Sequence, residues 1–307
     1  EMCIRDRDVD CLSHAPFLAD ELFGRYAEPE ELRLSAAPKA RLYLPRCISA
    51  FVGADITSAL VASQICTRPE SALLADIGTN GELALWHKGR LLCCSTAAGP
   101  VFEGATISRG MQAGPGAIHR VTYENGKISC RTIESCLLYT SDAAAAGICG
   151  SGLIDAVAVF LRAGIIDETG AFTDGEDAYP LTPEVSLTQK DIRMLQLAKS
   201  AICAGMLTLL EAGGLGAEGP DRLVIAGGFG SFLDLHSAAC IGLYPPALEI
   251  RARTIGNAAL AGASMMLLRG RYRQQAAALA ELAETVDLSA SPVFRENYVE
   301  CMGFEAP

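Results

Sequence analysis

A short apolar run that stops at a carboxylate and then turns back on itself is the feature that most constrains this chain. Residues 72–75 are apolar, Asp76 ends the run, and a Gly-Thr-Asn-Gly segment at 78–81 separates it from the alternating residues 82–86. An Asn-Gly pair between two such runs predicts a β-hairpin, because these residues tolerate the positive φ values of a tight turn. A third strand-like run near 90–95 follows at once, so we predict three antiparallel neighbours.

A second glycine turn lies far downstream. Residues 223–226 are an apolar run that predicts a buried strand, and Gly227 and Gly228 follow it directly. Paired glycines let a flat group approach the backbone, and the N–H groups of the first turn can converge on phosphate while Asp76 holds a hydrated Mg²⁺. The two turns together suggest a nucleotide site, although an isolated Asn-Gly turn is usually no more than a turn.

Composition indicates a globular α/β protein. The chain has 307 residues, half of them hydrophobic, and beyond roughly 250 residues a division into two lobes is expected. The net charge of −11 and the absence of a Lys/Arg cluster argue against nucleic acid as a partner. The most apolar stretch, 143–161, is interrupted by glycines and carries Asp155, so it predicts a core helix and no membrane span. Twelve cysteines without a Cys-x-x-Cys pair predict reduced thiols and a cytoplasmic location.

Other patterns predict the remaining elements. Thr188 with Asp191 approximates a capping box at the start of a long helix that ends near Ala212. Asn125-Gly126 predicts a second hairpin within residues 117–133. We also expect the following elements: a short helix from Glu103, a strand near 222–226, a helix near 234–240, a strand near 248–253, and helices at 256–269 and 272–285.

Four motifs in order resemble those of the actin-like ATPase superfamily, which includes sugar kinases, heat-shock chaperones and actin. Residues 76–82 resemble its second phosphate motif and 226–231 its adenosine motif, while 51–57 and 255–263 resemble its two connecting helices. Residues 147–156 and 197–202 are similar to ATP-dependent reductive activators of corrinoid proteins. The resemblance implies an actin-like (ribonuclease H-like) α/β lobe over residues 51–307, in which three antiparallel strands precede parallel β-α units, with residues 8–50 left from a first lobe.

The resemblance also implies roles for particular residues. Asp76 is expected to organise Mg²⁺ through water and, with Glu82, to be catalytic, although an exposed strand carboxylate is an equal expectation for Glu82. Lys199 is expected near the nucleotide or, as an alternative, in solvent on its helix. The other expected contacts to ATP are Gly78, Thr79, Asn80 and Gly81 at the phosphates, Gly227, Gly228 and Phe229 at the adenosine, and Gly256 and Asn257 at the hinge.

The function implied by the resemblance is ATP-driven reduction of cobalt(II) to cobalt(I) in a corrinoid protein. The expected partner is a corrinoid protein or a corrinoid-dependent methyltransferase, and a homodimer is one expected assembly. Nothing in the sequence resembles the family's two-iron two-sulfur domain or first phosphate motif, so we expect that cluster in a missing N-terminal region and little activity from this chain alone. Two alternatives stay open, a small-molecule or sugar kinase and a non-catalytic actin-like binding module, since a fold does not determine function.

Two short peptides look foreign to the protein. Residues 2–7 back-translate to a DNA string whose reverse complement encodes residues 136–140, and the string resembles a transposase-end adapter of sequencing libraries. We therefore predict that residues 1–7 and 136–144 are artefacts that are not part of the native fold. A genuine polar loop leading into an Ala-rich helix is the alternative.

Overall fold

The computed structural model describes residues 19, 21–37, 39–134, 145–216, 219–228 and 232–304. The strands are β1 (Arg25–Ala27), β2 (Leu42–Leu44), β3 (Ala72–Ile77), β4 (Gly81–His87), β5 (Arg90–Thr96), β6 (Ala117–Glu124), β7 (Lys127–Thr132), β8 (Gly147–Ile148), β9 (Ala178–Pro180), β10 (Ser186–Thr188), β11 (Arg222–Ala226), β12 (Ala252–Thr254) and β13 (Ala283–Thr285). The α-helices are α1 (Ala54–Ser63), α2 (Gly150–Arg162), α3 (Gln189–Ala212), α4 (Leu235–Cys240), α5 (Ala258–Leu268), α6 (Gly270–Leu282) and α7 (Pro292–Glu300).

A six-stranded mixed sheet in the order β12-β11-β3-β4-β5-β13 forms the centre of the fold. β3, β4 and β5 are antiparallel neighbours, whereas β11 runs parallel to β3 and β12 parallel to β11. The prediction of three antiparallel strands followed by parallel β-α units is therefore confirmed. Three smaller sheets, β1-β2, β9-β10 and β7-β6-β8, surround it in the part of the chain that the structure describes.

Both faces of the central sheet are covered. Along β3, Leu73, Ala75 and Ile77 face a core shared with α2 and α3, while Ala72 and Leu74 face a second core shared with α1 and α6. This alternation is the period of two that a strand imposes on its side chains. Because helices lie on both faces, β3 is apolar on both sides, and the sequence of the strand shows no polar alternation.

Helices α1 and α5 pack against each other at a glycine. A Cβ on Gly262 would lie 1.9 Å from the backbone oxygen of Ser58, so only glycine permits this approach. We expect Gly262→Ala to lower the free energy of unfolding by about 2 kcal/mol, because separating the helices costs more than the improved helix propensity returns. Thermal unfolding measures the change, and Gly216→Ala, at a glycine with open space around it, is the control. Equal melting temperatures for the two variants would contradict the close packing.

Several predicted elements are confirmed and others are wrong. Thr188 and Asp191 form a complete capping box, and the second hairpin turns through Asn125 and Gly126 at φ values of 52° and 77°. The helix expected from Glu103 is absent, since residues 101–106 form only turns, with Gly104 at φ 82°.

The carboxy-terminal part also differs from the prediction. The strand expected near 248–253 is instead a 3-10 helix, Pro246–Arg251, followed by the short β12. Pro246 lacks the N–H that a sheet ladder needs, which favours the helical turn. The last predicted helix ends at Leu282, because residues 283–285 pair with β5 as β13 and Glu284 forms an ion pair with Arg90.

The suspected peptides 1–7 and 136–144 lie outside the described residues, but the flanks of the second are held close together. The N–H of Gly116 donates to the Ile133 oxygen, and the oxygen of Gly116 accepts from the N–H of Ala146. One residue thus joins both sides of the gap, and a short linker can close it.

Deleting residues 136–144 is expected to leave the free energy of unfolding nearly unchanged or slightly higher. Each halving of a flexible loop changes its closure cost by only about 0.6 kcal/mol. Denaturant unfolding of the deletion is compared with a variant in which the same nine positions (136–144) are Gly and Ser, which separates loop length from sequence. If both variants lose several kcal/mol, the native peptide packs in the core and is not an artefact.

Candidate nucleotide site

Both glycine turns leave the same edge of the central sheet. In the register of the strands, Asp76 lies beside Ala226 on one side and beside Glu82 on the other. Ala226 is the last residue before Gly227, so the end of parallel strand β11 places its turn next to the β3-β4 hairpin. The carboxyl ends of parallel strands are where open α/β sheets bind ligands.

The β3-β4 hairpin presents an open loop of three residues. Gly78 donates its N–H to the Asn80 oxygen at 2.9 Å, and the Thr79 hydroxyl donates to a Glu103 carboxylate oxygen at 2.7 Å. Thr79 and Asn80 are exposed. The prediction of positive φ at the Asn-Gly pair is wrong, because the structure places Gly78, Asn80 and Gly81 outside the positive-φ region.

Gly81 is needed for packing instead. A Cβ at this position would lie 2.7 Å from the Thr96 hydroxyl and 3.1 Å from Cγ1 of Ile202. The loop is therefore held against β5 and α3, while Thr79 and Asn80 at its tip are exposed. Such a loop can bind an anion through its backbone, which is the role expected of residues 78–81.

Three carboxylates gather beside this loop. Burial, followed by the charge of Asp55, raises the pKa of Asp76 to about 6. Burial, then the charges of Asp55 and Asp76, raises the pKa of Glu82 to about 7, while a hydrogen bond from the Asn80 side chain opposes the rise. Negative charge that is costly to maintain at neutral pH favours a cation at this site.

Asp55 is the site residue that the sequence reasoning missed. It lies in the first turn of α1, and its Oδ1 accepts the N–H of Ile56 at 2.7 Å. A Cβ on Gly53 would lie 2.8 Å from that same oxygen, so the glycine allows this position of the carboxylate. The signal was present in the sequence, since Asp55 falls within the first connecting-helix motif.

The second glycine turn is locked to the first through the backbone. Gly227 has φ 115°, and a Cβ there would lie 2.2 Å from the Ile77 oxygen. Its N–H donates to the oxygen of Gly256 at 3.0 Å, whereas Gly228 has open space around it. These contacts thus join the β3-β4 hairpin, the turn after β11 and the start of α5.

Three further residues are expected to contact the nucleotide, namely Asn257, Lys199 and Phe229. Asn257 caps α5, since its Oδ1 accepts the N–H of Leu260 at 2.9 Å. Lys199 is buried, with its Nζ donating to the Gly303 oxygen at 2.5 Å and lying 5.1 Å from the centre of the Phe304 ring. The alternative expectation, that the Lys199 side chain lies in solvent, is therefore wrong. Phe229 lies outside the described residues.

A partly buried charge network holds the start of α4. Arg120 Nη1 lies 2.8 Å from Asp234 and 3.4 Å from Asp155, and the N–H of Val121 donates to the same Asp155 oxygen at 3.2 Å. Asp234 in turn caps α4 by accepting the N–H of Ser237 at 2.9 Å. The network fixes α4, whose N-cap Asp234 lies six residues after Gly228.

The residues present fit a hydrated Mg²⁺ better than a directly ligated metal. Within the described ranges, no group of three or more His, Cys, Asp or Glu side chains is close enough to hold a metal ion directly. Asp76 and Glu82, with Asp55 nearby, can still hold a cation through its water shell, because Mg²⁺ commonly keeps several waters and uses one or two carboxylates.

The chain is similar to known proteins over most of its length. Residues 70–306 match the family described as the C-terminal domain of RACo, the ASKHA domain. The chain is 35% identical to the corrinoid activation enzyme RamQ of Eubacterium limosum over 94% of its own length and 51% of that protein. It is 29% identical to the [Co(II) methylated amine-specific corrinoid protein] reductase of Methanosarcina barkeri, covering 92% of this chain and 53% of that one.

Comparison with solved structures also finds a reductive activator. A reductive activator for corrinoid, iron-sulfur protein superposes with a TM-score of 0.86 at 34% identity, covering 95% of this chain and 49% of that one. The chain thus spans about half the length of the relatives it matches. With its actin-like α/β fold, it belongs to the family of RACo C-terminal ASKHA domains.

Proposed function

We propose that this chain is the Mg-ATP-binding lobe of an activator that reduces the cobalt of a corrinoid protein. The observation that carries the proposal is the register that brings Asp76 beside Ala226 and therefore both glycine turns to one edge. The names of the relatives support the corrinoid protein as the partner.

The residues of the site divide the work of binding ATP. The N–H groups of residues 78–81 bind the terminal phosphates, and Asp76 holds hydrated Mg²⁺, which neutralises phosphate charge when bound. Gly227, Gly228 and Phe229 form the adenosine side, where Gly228 lacks neighbours that would obstruct a flat ring. Gly256 and Asn257 begin the helix about which the lobe moves on hydrolysis.

Glu82 and Lys199 have more specific roles in the proposal. Glu82, whose pKa is about 7, accepts a hydrogen bond from the attacking water and is within the pKa range suited to general base catalysis. Lys199 lies under the carboxy-terminal segment, beside the backbone of Gly242. We propose that Lys199 influences nucleotide binding from the side of the fold that carries β11, through the packed residues around Gly242 and Gly303.

Other parts of the proposal concern the complete activator. The electron for cobalt(II) comes from a two-iron two-sulfur cluster in another domain, and the acceptor is a corrinoid protein or a corrinoid-dependent methyltransferase. The described part of the chain contains free thiols, among them Cys66, Cys93 and Cys149, which fits a cytoplasmic protein. Of the described helices, only Gln189–Ala212 is long and apolar enough to cross a membrane, and 78% of its most apolar window is buried in the fold. A homodimer remains the proposed assembly.

Binding of Mg²⁺ is expected to strengthen as pH rises. The raised pKa values mean that the folded protein holds protons on Asp76 up to about pH 6 and on Glu82 up to about pH 7, above their ordinary 3.8 and 4.5. These groups therefore stabilise the apo fold less as pH rises through that window. Calorimetric titrations with Mg-ADP at about pH 5.5 and about pH 8 should show tighter binding at the higher pH, and Asp55→Asn should move the rise to lower pH. A pH-independent affinity would contradict the carboxylate assignment.

The function is tested with a chimera in which residues 51–307 replace the matching half of a relative. Optical spectra should show ATP-dependent conversion of a cobalt(II) corrinoid protein to cobalt(I). Stimulation of ATP hydrolysis by a sugar in place of the corrinoid protein would select the kinase alternative. Correct folding with nucleotide binding but no hydrolysis under either condition would select the binding module.

A further inference from the structure

A cavity of about 570 Å³ opens between α2, β6 and α4, separate from the nucleotide site. Its walls combine aliphatic residues such as Val121 and Val159 with the charged Arg120, Arg162 and Asp234, and one side carries a group of chemically active side chains. These are His236, Cys240 and Glu249, and the proposed binding of ATP makes no use of them.

The three side chains form a continuous chain of contacts. His236 and Cys240 are one helical turn apart on α4, and Cys240 Sγ lies 3.4 Å from His236 Nε2. The other ring nitrogen, Nδ1, lies 3.0 Å from Glu249 Oε1. The His236 side chain is 63% exposed, so other donors can approach it from solvent.

The spacing matches the coordination of a soft divalent metal. With a metal–sulfur bond of about 2.3 Å, a metal–nitrogen bond of about 2.0 Å and a tetrahedral angle, the sulfur and nitrogen are about 3.5 Å apart. The observed separation of 3.4 Å, at which the two groups share a hydrogen bond in this structure, is close to that value. Metal-bound imidazoles almost always donate the N–H of the second ring nitrogen to a carboxylate, a backbone carbonyl or water, which fixes the tautomer and the ring, and Glu249 is such a partner here.

We propose that Cys240 and His236 bind a divalent transition metal of the zinc class, with Glu249 orienting the imidazole. Two protein ligands leave positions open toward the cavity for water or for a donor of a small ligand. Metal binding forms a metal–sulfur bond and releases the proton of the Cys240 thiol to solvent.

Cobalt(II) is the probe, because a thiolate bound to it gives a charge-transfer band in the near ultraviolet. The wild-type chain should show this band with a one-to-one end point and lose it when Zn²⁺ is added. Cys240→Ser should abolish the band, and His236→Ala should weaken binding strongly. Glu249→Gln should weaken it about 10–100-fold, the usual effect of removing the carboxylate behind a ligating histidine.

Cys66→Ser is the matched control, since the described contacts of Cys66 include no histidine and its pKa is raised to about 12 by burial. The control should bind cobalt(II) like the wild type. Circular dichroism checks that each variant is folded. Absence of the band in the wild type, its persistence in Cys240→Ser, or an unchanged affinity in both His236→Ala and Glu249→Gln would overturn the proposal.

Discussion

Asp76→Asn is expected to reduce Mg-dependent nucleotide affinity and ATP hydrolysis by roughly 100-fold or more, because charge stabilisation by a bound metal is worth several kcal/mol. Asn keeps the shape of the side chain and its place beside Ala226 and Glu82, so the sheet should remain intact. Affinity is measured by calorimetry with Mg-ADP on this chain, and hydrolysis by phosphate release in the chimera.

The control for this substitution is a carboxylate at the opposite end of strands β3 and β11. Asp221 precedes β11 and accepts hydrogen bonds from the N–H and the hydroxyl of Ser71 at 2.8 and 2.6 Å. Asp221→Asn should lower stability while leaving the Mg²⁺ dependence of nucleotide binding unchanged. Wild-type turnover in Asp76→Asn, or an equal loss in both variants, would refute the assignment of Asp76.

Gly227→Ala is expected to lower the melting temperature by roughly 5–10 °C and to abolish nucleotide binding. The new Cβ would lie 2.2 Å from the Ile77 oxygen, and φ of 115° is unfavourable for any side chain. Strain and backbone displacement together cost roughly 3 kcal/mol, and each kcal/mol shifts the melting temperature by about 2–4 °C in a domain of this size class.

Gly228→Ala separates folding from binding in the same turn. Its Cβ meets nothing within 4 Å, so the melting temperature should stay near that of the wild type. Nucleotide affinity should still fall, because the methyl group occupies space proposed for the adenosine. If Gly228→Ala binds nucleotide normally, the adenosine does not lie on this turn, whereas a stable Gly227→Ala would contradict the observed contacts that join the β3-β4 hairpin to this turn.

Local chemistry explains which elements could be predicted from the sequence. The capping box at Thr188 and Asp191, the Asn125-Gly126 turn and the antiparallel pairing of β3, β4 and β5 depend on neighbouring residues, and these predictions are confirmed. The edge strand β13 depends on an open edge of β5, almost 200 positions earlier in the chain, which no local pattern reveals.

In the candidate site, too, some features follow from neighbouring residues and others from contacts between distant segments. The residue types at Asp76 and at Gly227 predict their place at a turn, because a strand end and a glycine pair are local signals. The reason for Gly81 is its contact with Thr96 and Ile202, and the burial of Lys199 depends on Gly303 and Phe304. Such contacts between distant segments become visible only in the folded chain.

The most direct test of the central claim is nuclear magnetic resonance of the chain during titration with Mg-ADP, which detects binding even when it is weak. The account predicts that the amide signals of Gly78, Thr79, Gly81, Gly227 and Gly228 shift together, that they need Mg²⁺ to do so, and that Asp76→Asn suppresses the shifts. Shifts confined to other residues, or shifts in the two turns that are unchanged without Mg²⁺, would contradict it.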